Sequence, residues 1–149
     1  MNPSKTLTIH HLGDQRYAST NPAGQQIVID MSAEHRIGVG PMDALMSALA
    51  SCTMYDVVEI MDKRRTPLSA YRVTVEGFRA EGSVPPRYER YVLRHFAQGE
   101  GVSMEALEKA AHLSHEKYCT IGASLAAQID IEVVIEPSGQ TAEIGGEDS

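Results

Sequence analysis

Residues 41–63, PMDALMSALASCTMYDVVEIMDK, constrain the fold more than any other stretch. Pro41 suits the first position of a helix, where its missing N–H is an orphan donor in any case, and Asp43 falls in the first turn, where a negative charge meets the positive end of the helix. Lys63, Arg64 and Arg65 close the run with cations, and Pro67 stops it. The pattern predicts a helix from about Pro41 to Lys63, roughly 35 Å long. Its first twenty residues are apolar almost all round, so it is expected to be buried on most faces as the central core element. Asp43, Asp56 and Glu59 interrupt the apolar run, and a bilayer would tolerate them poorly.

The flanking segments read as strands and turns. KTLTIHH, RYAST and QQIVID, with the turn Asn21-Pro22-Ala23-Gly24, predict an N-terminal β-meander, and MSAEHRIGVG a loop leading to Pro41. AYRVTVEGFRAEG and RYERYVLRHFAQGE, separated by Pro85 and Pro86, predict an antiparallel hairpin. A second helix is expected from near Ser103, with Met104, Leu107 and Ala111 in register, and it can extend into SHEKY. Residues 120–128 predict a short third helix. IDIEVVIE closes as a half-buried strand, with Ile129, Ile131, Val133 and Ile135 alternating against mostly acidic neighbours. The expectation is an α+β fold with segregated elements, one domain over residues 1–137 and a polar, acidic, frayed tail over 138–149.

Composition narrows the function. A chain of 149 residues with 42% hydrophobic side chains can build one core even without tryptophan. Its 13 Lys plus Arg against 20 Asp plus Glu give a formal charge of −7, which leaves the counterion release of nucleic-acid binding without a source. The start, MNPSKTLTIHH, has no apolar signal region. The expectation is a soluble cytoplasmic protein without nucleic-acid or membrane partners. In that compartment the two cysteines are reduced thiols, and a disulfide between them is more naturally transient and catalytic than structural. No GxGxxG, P-loop or G-x-S-x-G occurs, and GVGPMD lacks the lysine and spacing of a phosphate loop, so no cofactor is expected.

The two sulfurs are Cys52, near the middle of the long helix, and Cys119, in SHEKYCTIGASL. Cys52 lies far beyond the first turn, so the helix N-terminus cannot make it a thiolate. Its helical face carries Leu45, Ala48, Leu49 and Tyr55 together with Asp56 and Glu59, and those acids raise a thiol pKa. A reactive Cys52 therefore needs an arginine from another segment or chain; the alternative is a buried small hydrophobe. Cys119 precedes Thr120, a candidate N-cap for the short helix, so its sulfur can meet unsatisfied N–H groups, and Lys117 is close in sequence. Packing and chemistry stay open for it. A third reading places His112, His115 or Glu116, and Cys119 on one helical face, a spacing able to hold zinc or iron. His10, His11, His35 and His95 are scattered and read as surface or strand residues.

GPMDALMSALASCTMYDVVEIMDKRR, followed by YRVTVEGFRAEG and SHEKYCTIGASL, resembles the OsmC/Ohr superfamily of thiol peroxidases, most closely its YhfA-type branch. The resemblance runs from about Tyr17 to Glu136 and rests on the Gly-Pro start, Cys52 eleven residues after Pro41, and the second Tyr-Cys. It implies an OsmC-like fold and an intertwined homodimer with active sites at the subunit interface. It implies further that Cys52 is the nucleophile attacking an organic hydroperoxide, and that Cys119 resolves the resulting sulfenic acid as a Cys52–Cys119 disulfide, reduced by an external dithiol in oxidative-stress defence. In the characterised peroxidases an arginine and a glutamate activate the thiolate. The glutamate position of the Ohr pattern is Met42 here; Asp43 is its neighbour, and the YhfA-type pattern carries an acid there. Arg16 is the candidate arginine and Arg36 the reserve. The rival reading is a non-catalytic domain on the same scaffold that binds a small hydrophobic ligand or senses redox state.

Overall fold

The computed structural model describes residues 2–137, so the tail expected to fray from Ser138 lies outside the described residues. The chain divides into two compact units, Met1–Ser47 and Ala48–Ser149, the division falling within the long helix.

In the first unit, β1 (Thr8–Gly13), β2 (Arg16–Thr20) and β3 (Gln26–Asp30) form an antiparallel meander in the order β1-β2-β3. The tight β1–β2 link takes positive φ at Gly13, Asp14 and Gln15, the local geometry that matches strand twist. Asn21 closes the β2–β3 loop by accepting the Gln25 N–H on its side-chain oxygen at 2.9 Å. Asp30, at the end of β3, is fully buried. Its carboxylate accepts the Ser32 hydroxyl at 2.6 Å and the N–H groups of Ser32, Ile37 and Gly38 at 2.9, 2.9 and 3.2 Å. These bonds wrap the loop of residues 31–40 around one charge. They hold the carboxyl well below the usual carboxylate range, the Ser32 hydroxyl contributing most and burial opposing.

Helix α1 (Pro41–Lys63) has the boundaries that its proline and basic end predict. Asp43 accepts the Gly40 N–H at 3.2 Å, half of a capping box that satisfies a donor at the start of the helix. The burial of α1 departs from expectation. Leu49, Ala50, Thr53, Val57 and Met61 are buried, whereas Tyr55 is 68% and Val58 40% exposed. Residues 49, 53, 57 and 61 are four apart and form one stripe, which with Ala50 beside it is the fully buried part of the helix. By length and hydropathy alone α1 is apolar enough to cross a membrane, but its buried stripe packs as a core helix does.

In the second unit, β4 (Ala70–Arg79), β5 (Tyr88–Gln98) and β6 (Gln128–Ile135) form a sheet in the order β4-β5-β6. The β4–β5 pair is the expected antiparallel hairpin, while β6 joins β5 in parallel. A parallel pair needs a crossover, and here it carries α2 (Met104–Leu113), a π-helical turn over Ser114–Tyr118, and α3 (Thr120–Ala123). The Ser103 side chain caps α2 by accepting the Ala106 N–H at 3.1 Å. Val57 and Met61 of α1 pack with Ala97 of β5 and with Ala106, Leu107, Ala110 and Ala111 of α2, while Ile131, Val133 and Ile135 of β6 close one side. The third helix is shorter than expected. Ser124 donates its hydroxyl to the Thr120 carbonyl at 2.7 Å and its N–H to the last carbonyls, and the chain then turns into β6.

Candidate active site

Both cysteines lie in the second unit, and the fold brings them side by side. Cys52 points from the middle of α1 toward the short helix that Cys119 starts, and the two thiols are close enough for each to act on the other's ionisation. Cys119 is buried, Cys52 half-buried, and both are free thiols. The expected N-cap, Thr120, is instead the first residue of α3; Cys119 itself is the cap. Its Sγ accepts the Gly122 N–H at 3.3 Å and the Thr53 hydroxyl at 3.7 Å. A backbone just extended at Cys119, with φ −74° and ψ 98°, turns its side chain back over the first turn as a serine cap would be turned.

Three local effects act on the Cys52 thiol. Burial is the largest and pushes it above its ordinary value; the N–H groups of Ile121 and, less strongly, Thr120 face the sulfur and act the other way, while the neighbouring Cys119 thiol adds to the rise. The net direction is upward. The groups within this unit therefore prepare hydrogen bonds for a thiolate without producing one unaided.

The supporting residues include some that sequence reasoning did not single out. Asp56, one turn after Cys52 on α1, accepts the Ser114 hydroxyl at 2.6 Å. Ser114 is fully buried, and its carbonyl accepts the Cys119 N–H at 2.8 Å in the bond that closes the π-turn. Gly122 lets the segment close: a Cβ there would lie 3.3 Å from Ile129 Cδ1 and 3.5 Å from Cys119 Sγ. The sequence presents Asp56 only as an acid near a thiol, and its role depends on a serine 58 residues away that no periodicity links to it.

The other predicted residues lie in the first unit. Arg16 donates from Nε to Asp30 at 3.4 Å and from its terminal nitrogens to the His35 carbonyl at 3.2 Å and Asp14 at 3.5 Å. Arg36 donates to the Ser32 carbonyl at 2.6 Å. Asp43 is engaged with the Gly40 N–H. The metal reading required a continuous α-helix through residues 112–119, and the π-turn breaks that register. Among the described residues no group of three His, Cys, Asp or Glu side chains is arranged to hold a metal ion.

A meander, a long helix carrying one thiol, a second sheet, and a crossover that caps a short helix with the other thiol define a class. The chain belongs to the OsmC-like protein family, whose pattern matches residues 33–134. It is 28% identical over 116 residues to Protein YhfA of Escherichia coli K12, covering 77% of this chain and 84% of that one. Its fold is that of an OsmC-like protein of unknown function from Vibrio cholerae, with TM-score 0.75 at 21% identity, covering 89% of this chain and all of the other. The organic hydroperoxide resistance protein OhrB of Bacillus subtilis shares the fold more distantly, with TM-score 0.59 at 12% identity over 89% of this chain and 98% of that one.

Proposed function

We propose that this protein is a cysteine-based thiol peroxidase that reduces organic hydroperoxides. The observation that carries the reading is the pairing of Cys52 with Cys119 at a set of backbone N–H groups able to stabilise a thiolate. In the first step the Cys52 thiolate attacks the terminal oxygen of the hydroperoxide; the O–O bond breaks, the alkoxide leaves and takes a proton as the alcohol, and Cys52 becomes a sulfenic acid. The Cys119 thiolate then attacks the Cys52 sulfur, hydroxide leaves, and a Cys52–Cys119 disulfide forms. An external dithiol returns both thiols, becoming a disulfide itself.

Arg16 is the proposed activating cation, with Asp43 as the acid of the site. Asp30, Asp14 and the His35 carbonyl hold Arg16 in one orientation, which a positioned cation requires and a free surface arginine lacks. A homodimer completes the reading, since the apolar residues left exposed on α1 and on the meander need a cover.

Two measurements test the chemistry. Cys52→Ser is expected to abolish dithiol-dependent consumption of cumene hydroperoxide, and undiminished turnover in that variant would refute the reading. Arg16→Met is expected to raise the titration midpoint of the Cys52 thiol, followed by thiolate absorbance in a Cys119→Ser background, and to slow peroxide reduction at neutral pH by about tenfold or more. An unmoved midpoint removes Arg16 from the mechanism.

A further inference from the structure

We propose that the hydrogen bond between Ser114 and Asp56 is a latch that sets the effective concentration of the Cys119 thiol at Cys52, and so the redox poise of the pair. The inference rests on the reading that these two thiols cycle between dithiol and disulfide.

The geometry forms a closed circuit. Cys52 and Asp56 are one helical turn apart on α1, a rigid spacing. Asp56 accepts the Ser114 hydroxyl at 2.6 Å, a short bond to a charged acceptor. The Ser114 carbonyl accepts the Cys119 N–H at 2.8 Å, the Cys119 sulfur accepts the Thr53 hydroxyl of α1 at 3.7 Å, and the Cys119 thiol acts on the ionisation of Cys52. Beside the Thr53 bond to Cys119 and the Ile121 and Thr120 N–H groups that face Cys52, Ser114 is a further tie between the crossover and α1 near the pair.

The π-turn gives the tie its mechanical meaning. A π-turn carries one residue more than an α-helical turn, so it sets Cys119 out of the register that α2 alone would give it. Ser114 begins that turn and Cys119 follows it. With the serine pinned to α1, the slack between Ser114 and Cys119 is confined to the π-turn; without the pin, Cys119 is held against α1 by the Thr53 bond and the contacts of its short helix. Ser114 is fully buried, so its hydroxyl has no water to fall back on if Asp56 is removed. Neither residue touches peroxide or sulfur in this scheme. They are positioning residues, and their effect falls on formation of the disulfide rather than on attack by Cys52.

Equilibration of the purified full-length chain in graded reduced and oxidised glutathione tests this without any peroxide. The Cys52–Cys119 disulfide is quantified by alkylation and mass spectrometry. Ser114→Ala and Asp56→Ala are each expected to shift the equilibrium constant toward the dithiol by about tenfold, because a looser Cys119 has a lower effective concentration at Cys52. The double variant is expected to go no further than either single one. Asp56→Asn keeps an acceptor oxygen and is expected to stay within about threefold of the parent. Because Asp56 is half-exposed, Asp56→Ala reads the bond even if Ser114→Ala does not fold. Unchanged constants in the alanine variants, or losses that add in the double variant, overturn the latch; so does a parent chain that forms no intramolecular disulfide anywhere in the titration. A parent chain that forms the disulfide with glutathione but consumes no hydroperoxide sinks the peroxidase reading alone.

Discussion

His95 is a charge that the fold keeps off. It is fully buried on β5, its Nδ1 lies 2.7 Å from the Tyr71 hydroxyl, and its Nε2 has no hydrogen-bond partner among the described residues. Burial, aided by the neighbouring His112, lowers its pKa from 6.5 to about 4. The unfolded chain therefore binds a proton as pH falls through about 6.5 while the folded chain does not. The stabilising contribution is complete above that value and is lost progressively toward pH 4. Urea unfolding is expected to give a stability lower at pH 5 than at pH 7 by about 2 kcal/mol from this residue. His95→Gln should flatten that slope; an equal slope in the variant would assign the effect elsewhere. At this scale the two thiols were legible because the sequence holds only two, and Asp43 because acids favour first turns. The cage around Asp30 was not, since it is built mainly from backbone N–H groups of a loop whose path no side-chain pattern encodes.

Among elements, the turn from β5 into α2 leaves the least room. A Cβ on Gly99 would sit 2.6 Å from the Pro67 carbonyl oxygen and 2.6 Å from Val102 Cγ2. The carbonyl belongs to backbone that also leads into β4, where Ser69 donates its N–H to the Gln98 carbonyl at 2.8 Å, so it cannot withdraw. Gly99→Ala is expected to lower stability by about 2 kcal/mol, read from the denaturant midpoint, with the fold retained. The strands and α1 were predictable because alternation and prolines mark them directly. The crossover was predicted least well, its third helix too long and its π-turn unforeseen. Those boundaries depend on competing hydrogen bonds from Ser124 and Ser114 rather than on hydrophobic period.

For the whole molecule, the α+β architecture followed from the order of the segments, but the degree of cover on α1 did not, because apolar pattern says that a face is hidden without saying by what. Ile9, Leu12 and Ile37 in the first unit and Tyr55 and Val58 on α1 remain exposed, Ile37 at 88%. Light scattering is expected to give the mass of two chains at micromolar concentration, and Ile37→Asp with Leu12→Asp to shift it toward one. A stable monomer before substitution would remove the dimer from the proposal.

The parallel pairing of β6 with β5 carries a consequence for biosynthesis. The segment bearing Cys119 is the bridge between those two strands, so it is tied down at both ends only after β6, later in the chain, has docked. Cys52 is translated 67 residues before Cys119 and 76 before the first residue of β6. On the proposed mechanism, a nascent chain carries its nucleophilic thiol well before the thiol proposed to resolve it arrives. Any sulfenic acid formed in that interval has to be intercepted by a small cellular thiol, or it persists until synthesis passes the last strand.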